Sequence, residues 1–193
     1  TGGLGDPTKD AMLLTYNTSL LNPVTTIVDL PGTTEIPTSF IIAETAPNSI
    51  PPSVSKMGIG GYQDKLVSRE WDKNYFIAYF DRNTEGVQHT VGWSETWGSY
   101  PHDDIGTGLT NDNTGNLVVT GYYYNDGNDD LATLKYNKID HTMMWDPVTH
   151  DIQDGEDRAS SIFRFGTTYA VSGYSQFSST NSYITKKFTE DNS

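Results

Sequence analysis

One short pair of strands, written four times over, constrains this chain more than any other feature. The third copy is the clearest. Asp112-Asn113-Thr114-Gly115-Asn116 supplies a turn, and Leu117-Val118-Val119-Thr120-Gly121-Tyr122 follows as a β-branched strand closed by glycine and tyrosine. A polar loop then leads into Asp130-Leu131-Ala132-Thr133-Leu134-Lys135-Tyr136-Asn137, a second strand that ends on an aromatic residue. The pair recurs as Val171-Ser172-Gly173-Tyr174 with Tyr183 to Phe188, as Ile59-Gly60-Gly61-Tyr62 with Tyr75 to Phe80, and as Thr1-Gly2-Gly3 with Asp10 to Asn17. Tyr16, Phe80, Tyr136 and Phe188 fall in register. Such repetition marks small units that bury their faces on one another.

Two further strands fit between successive pairs. They are Val24 to Leu30 and Ser39 to Glu44, then Gln88 to Trp97 and Ile105 to Thr110, then His141 to Asp146 and Ala159 to Phe165. Four strands in about 50–60 residues is the size of a β-propeller blade, a four-stranded antiparallel sheet set radially. The expected fold is therefore all-β, one repeat domain over 1–193, with a terminal strand in 1–20 and blades at 21–83, 84–138 and 139–193. The Pro-rich stretch Ala46 to Ser53 makes the first blade irregular. Leu134 and Tyr136 share a strand face, as do Phe76, Ala78 and Phe80, and such faces would fill the space between sheets. The repeated glycine permits close backbone approach.

About three blades and one strand do not close a ring of four to eight. The chain is expected to belong to a larger ring; the alternatives are blades completed by other subunits or a less regular β-sandwich. An opening Thr1 in place of Met fits a processed or incomplete chain.

Composition narrows the partners. A net charge of −13 argues against phosphate backbones and anionic membrane surfaces. There is no cysteine, which excludes disulfides, thiolate metal sites and cysteine nucleophiles. No run of 18 apolar residues is present to span a membrane as a helix.

The stretch from Trp93 to Asn137, with Asp104, Asp112, Gly115-Asn116, Val119-Thr120-Gly121 and Lys135-Tyr136-Asn137, resembles the β-propeller repeat of bacterial and archaeal surface proteins. The resemblance is good over 88–137, fair over 138–190 and weak over 1–83. It implies an extracellular or cell-surface scaffold or adhesion role, and no fixed catalytic residues. A structural subunit of a larger particle or filament, and a glycan-binding or glycan-processing propeller, are the competing expectations.

Candidate sites are few. Asp126, Asn128 and Asp130, in the loop Asn125 to Asp130, carry side-chain oxygens that could wrap Ca²⁺, against the plainer role of a polar hairpin turn. His102-Asp103-Asp104 and the set His141, Asp146, His150 and Asp151 hold metal-competent atoms without a spacing that makes them converge. Trp93, Trp97 and Tyr100 offer a stacking platform for sugars, against the preferred assignment of Trp93 and Trp97 to the core between sheets. Asn17-Thr18-Ser19 is a glycosylation sequon at Asn17. Twenty-five acidic residues make any carboxylate pair uninformative, so no enzymatic activity is expected.

Overall fold

The computed structural model describes residues 11–15, 24–28, 33–46, 53–67, 70–82, 89–98, 101–152, 155–177 and 180–190. Only the backbone is described at 11–15, 24–28, 42–46, 53–55, 66–67, 70–71, 82, 89–94 and 177. Among the described residues all regular structure is β. Strands β1(Ala11–Thr15) and β2(Val24–Val28) form an antiparallel pair. Sheet I is the meander β3(Thr33–Ala46), β4(Ser53–Val67), β5(Glu70–Arg82), β6(His89–Trp97). Sheet II is β7(Ile105–Asn111), β8(Leu117–Asn125), β9(Asn128–Tyr136), β10(Val148–His150). Sheet III holds β11(Glu156–Phe165), β12(Thr168–Phe177) and β13(Thr180–Thr189).

The sheets run one strand out of phase with the units read from the sequence. β2, placed at the head of unit 21–83, pairs with β1 instead, and β6, placed at the head of 84–138, closes sheet I. The strand expected over His141 to Asp146 is a turn with one bridge, Tyr136 to Met143, and the fourth strand of sheet II is β10. Asp140 accepts from the backbone and hydroxyl of Thr142 there, and His141 has φ 52°, so the backbone curls where a strand would extend.

Sheet II lies between the other two, which explains its near-continuous apolar runs. Leu109, Leu117, Val119, Ala132, Leu134 and Tyr136 pack on Tyr75, Ile77 and Tyr79 of sheet I. Val118, Leu131 and Trp145 pack on Ala159, Tyr169, Val171 and Phe188 of sheet III. Thus Leu134 and Tyr136 do share a face, and the repeated aromatic looks back toward the preceding sheet at both Tyr136 and Phe188. Phe76, Ala78 and Phe80 cluster with Met57 and Ile59 on the opposite face of sheet I.

The motif residues around Asp112 hold this packing in place. Its carboxylate accepts from the Thr114 and Asn116 backbone, from their side chains, and from Lys135 Nζ at 2.9 Å. Lys135 in turn lies 4.9 Å from the Trp145 ring centre.

The first strands β3, β7 and β11 neighbour one another in that order. Each carries a bulge, at Thr38, Thr107 and Ser160. In each, the carbonyl two residues before the bulge presses on a glycine of the next strand. A Cβ on Gly61, Gly121 or Gly173 would overlap the carbonyl oxygen of Ile36, Ile105 or Arg158 respectively. This is the close approach for which the repeated glycine is present.

Candidate functional site

The bulged hydroxyls join the sheets. Thr38 Oγ1 lies 3.2 Å from Gly60 O in its own sheet and 2.8 Å from Gly106 O in sheet II. Thr107 Oγ1 repeats this, 3.3 Å from Thr120 O and 2.8 Å from Ala159 O in sheet III. Ser160 Oγ donates to Ser172 O at 3.1 Å. Tyr75 adds a second tie, reaching through the space left by Gly121 to donate to Ala132 O at 3.2 Å.

A buried acidic residue lies near the start of each of these strands, three positions before the bulge: Glu35, Asp104 and Asp157. Asp104 accepts from Tyr124 N at 2.9 Å. Asp157 accepts from Ile152 N through Oδ2, while its Oδ1 has no hydrogen-bond partner. At the joint of sheets II and III, Asp130, Asp151 and Asp157 converge, with one oxygen from each within 4.8 Å of the others. Asp130 and Asp157 are 1% and 0% exposed, whereas Asp151 faces solvent. Burial pushes the Asp130 carboxyl above its ordinary range; the Asn125 amide opposes this, and Asp151, Asp157 and Asp129 add to it. The neighbouring guanidinium of Arg158 is engaged elsewhere, by Asp129 and Glu156. Burial and Lys186 lower the pKa of His150, Asp157 opposing, which favours the neutral ring.

The hairpin residues singled out in the sequence separate here. Asn125 pairs with Asn128 around a two-residue Asp-Gly turn, with Asp126 at φ 46° and Gly127 at φ 113°. Asp126 therefore points to solvent at the tip, and the Asn128 amide donates to Gly155 O and to Asp130. Asp130 alone of the three reaches the carboxylate cluster. Asp151 joins it from the second candidate set, while His141 pairs with Glu95 and Asp146 is exposed. His102, Asp103 and Asp104 diverge: the first stacks on Tyr124, the second pairs with Lys73, and the third caps Tyr124 N. Asp157 was not singled out in sequence. Its signal is the offset it shares with Asp104, three residues ahead of the bulged residue.

Trp97 is half-buried at the edge of the sheet I–II core, 5.3 Å from Tyr75 edge-on and 5.4 Å from Tyr123. Trp93 pairs with Tyr79 in the β5–β6 register, and its side chain lies outside the described residues. Tyr100 and Asn17 also lie outside them.

Neither a protein-family model nor a curated protein matches this chain.

Proposed function

We propose that this chain is a run of β-propeller blades acting as a non-enzymatic scaffold or adhesion surface outside the cell. One observation carries the propeller assignment: the same joint is built twice, between β3 and β7 and between β7 and β11, by a bulged hydroxyl and a facing carbonyl at matching positions. Sheets repeated radially around an axis pack face on face, so the same joint recurs from each sheet to the next. The surface location rests on the resemblance of residues 88–137 to surface-protein repeats. Electron microscopy of the protein from its natural source tests this. A ring of about four to eight radial sheets is expected; a two-layer sandwich or an open stack would overturn it. A hydrolase activity lost on one Asp or Glu substitution would overturn the non-enzymatic assignment.

A second function, a structural subunit of a larger particle, is favoured by the outer face of sheet III. Aligned on the repeated aromatic, Tyr183 occupies the position of Tyr75 and Leu131. Those two are buried in the joints at 2% and 0% exposure, and Tyr183 is 99% exposed. Phe163 and Phe165 stand exposed on the same face. The occupant that fits is another sheet of this repeat, offering Ser160 a carbonyl as Gly106 and Ala159 do for Thr38 and Thr107. If it comes from another subunit, the natural protein will dissociate into open pieces at low concentration; a ring within one chain will not.

A further inference from the structure

We propose that Asp130, Asp151 and Asp157 bind one Ca²⁺ ion, which fastens sheet II to sheet III. Three observations converge. One oxygen from each carboxylate lies within 4.8 Å of the others, and an ion about 2.3–2.6 Å from each ligand spans up to about 5 Å across. Asp157 is wholly buried, its carboxylate is part of this cluster, and its Oδ1 accepts no hydrogen bond. A buried carboxylate oxygen without a partner calls for a cation or a proton. Neither Asp130 nor Asp157 forms an ion pair with a described Lys, Arg or His, since Arg158 is held by Asp129 and Glu156.

The other joint supplies the internal comparison. Asn74 occupies there the position of Asp130, and Lys73 that of Asp129, six and seven residues before the repeated aromatic. Asn74 Oδ1 and Asp104 Oδ2 both face the space left by Gly98, while the Asn74 amide donates to Asp72 and the Lys73 ammonium, one residue away, pairs with Asp103. In the II–III joint the amide is replaced by a second buried carboxylate and Asp151 adds a third. The amides of Asn125 and Asn128 and the backbone of Ile152 orient Asp130 and Asp157 from outside, as supporting bonds orient metal ligands. An all-oxygen, carboxylate-rich donor set suits Ca²⁺, with water or backbone carbonyls completing six to eight ligands. Mg²⁺ demands tighter octahedral geometry and binds through fewer carboxylates, and zinc prefers nitrogen and sulfur.

Calorimetric titration of the metal-stripped full chain with CaCl₂ tests the site. One ion per chain is expected, at about 10⁻⁵ to 10⁻³ M, with Mg²⁺ at least about tenfold weaker. D130N and D157N should each weaken calcium binding at least about tenfold, and D126N should leave it within about twofold. Saturating calcium should raise the melting temperature of the wild type and not that of D130N or D157N. Loss of one carboxylate relieves repulsion, so metal-free D157N should melt no lower than the metal-free wild type. No calcium heat from folded wild type at about 10 mM, equal affinity for Mg²⁺, or binding that survives in both D130N and D157N would overturn the assignment. Should D157N fail to fold, D130N and the calcium-dependent melting of the wild type decide between the same outcomes.

Discussion

Thr107 Oγ1 lies 2.8 Å from the carbonyl oxygen of Ala159, across the joint between two sheets. The alternative acceptor in its own sheet, Thr120 O, stands at 3.3 Å. A hydroxyl has one proton, and the shorter contact takes it. Thr107→Val keeps the shape and removes the donor. It should cost about 1 kcal/mol, because the Ala159 carbonyl then loses a partner in a part-buried joint. Ser160→Ala, at the matching but solvent-exposed position of β11, should cost less than about 0.5 kcal/mol. Urea midpoints of the two variants check this, and equal losses would contradict it.

Gly121 sets the other half of the joint. A Cβ there would overlap the Ile105 carbonyl oxygen and stand 2.8 Å from the Tyr75 hydroxyl. Backbone cannot swing aside as a side-chain tip can, so Gly121→Ala should cost about 3 kcal/mol or more, through displaced strands and a broken Tyr75 tie. Gly127→Ala is the control. That position has open space but a φ of 113°, so only the strain of the turn, about 1 kcal/mol, is expected. Thermal unfolding of both variants separates crowding from strain.

These two residues also show how far the sequence could be read. The glycine and the aromatic repeat visibly, because a strand-end glycine and a strand-end tyrosine stand out against β-branched neighbours. The shared face of Leu134 and Tyr136 follows from a period of two alone. The bulges do not show. Thr38, Thr107 and Ser160 look like ordinary strand residues until the register of two strands is known. Assigning β2 and β6 to the wrong side of a sheet boundary has the same origin, since pairing is a relation between strands. The carboxylate cluster was half legible. Asp130 stands out in its local loop, but its partners Asp151 and Asp157 are brought to it by sheet-on-sheet packing, which no local spacing encodes. Asp126 carries the same oxygens at the hairpin tip, and its turn conformation directs them to water.

Asp112 and Lys135 make the joint pH-sensitive at its acid end. Burial alone would raise the Asp112 carboxyl; Lys135, Thr114 and Asn116 outweigh it and hold it at about 2, against 3.8 in an unfolded chain. A depressed folded value means that stability is fully present above about pH 4 and is lost as pH falls toward 2. The difference amounts to about 2 kcal/mol. Asp112→Asn should remove this component of the pH dependence. Lys135→Met should destabilise more at neutral pH, by about 3 kcal/mol, because it strands a buried carboxylate without its counter-charge. Denaturation midpoints between about pH 2 and 7 measure both. A wild-type slope unchanged in Asp112→Asn would remove Asp112 from the acid response.

The outer face of sheet III gives the last prediction. Leu131 and Tyr183 hold the same place in the repeat, yet one is sealed inside a joint and the other stands in solvent. Leu131→Ser should therefore cost about 3–5 kcal/mol, as large-to-small core changes do with a polar group added. Tyr183→Ser should change stability by less than about 0.5 kcal/mol when the chain is dilute. Association should respond in the opposite order. Tyr183, Phe163 and Phe165 stand exposed on one face of sheet III, and exposed apolar side chains drive contact between molecules. Replacing all three with Ser or Glu should lower the apparent mass of the chain in concentration-dependent sedimentation, with the fold unchanged by circular dichroism. If the triple variant associates as the wild type does, this face is not the contact surface. If Tyr183→Ser alone destabilises the dilute chain as strongly as Leu131→Ser, the face is covered within one molecule.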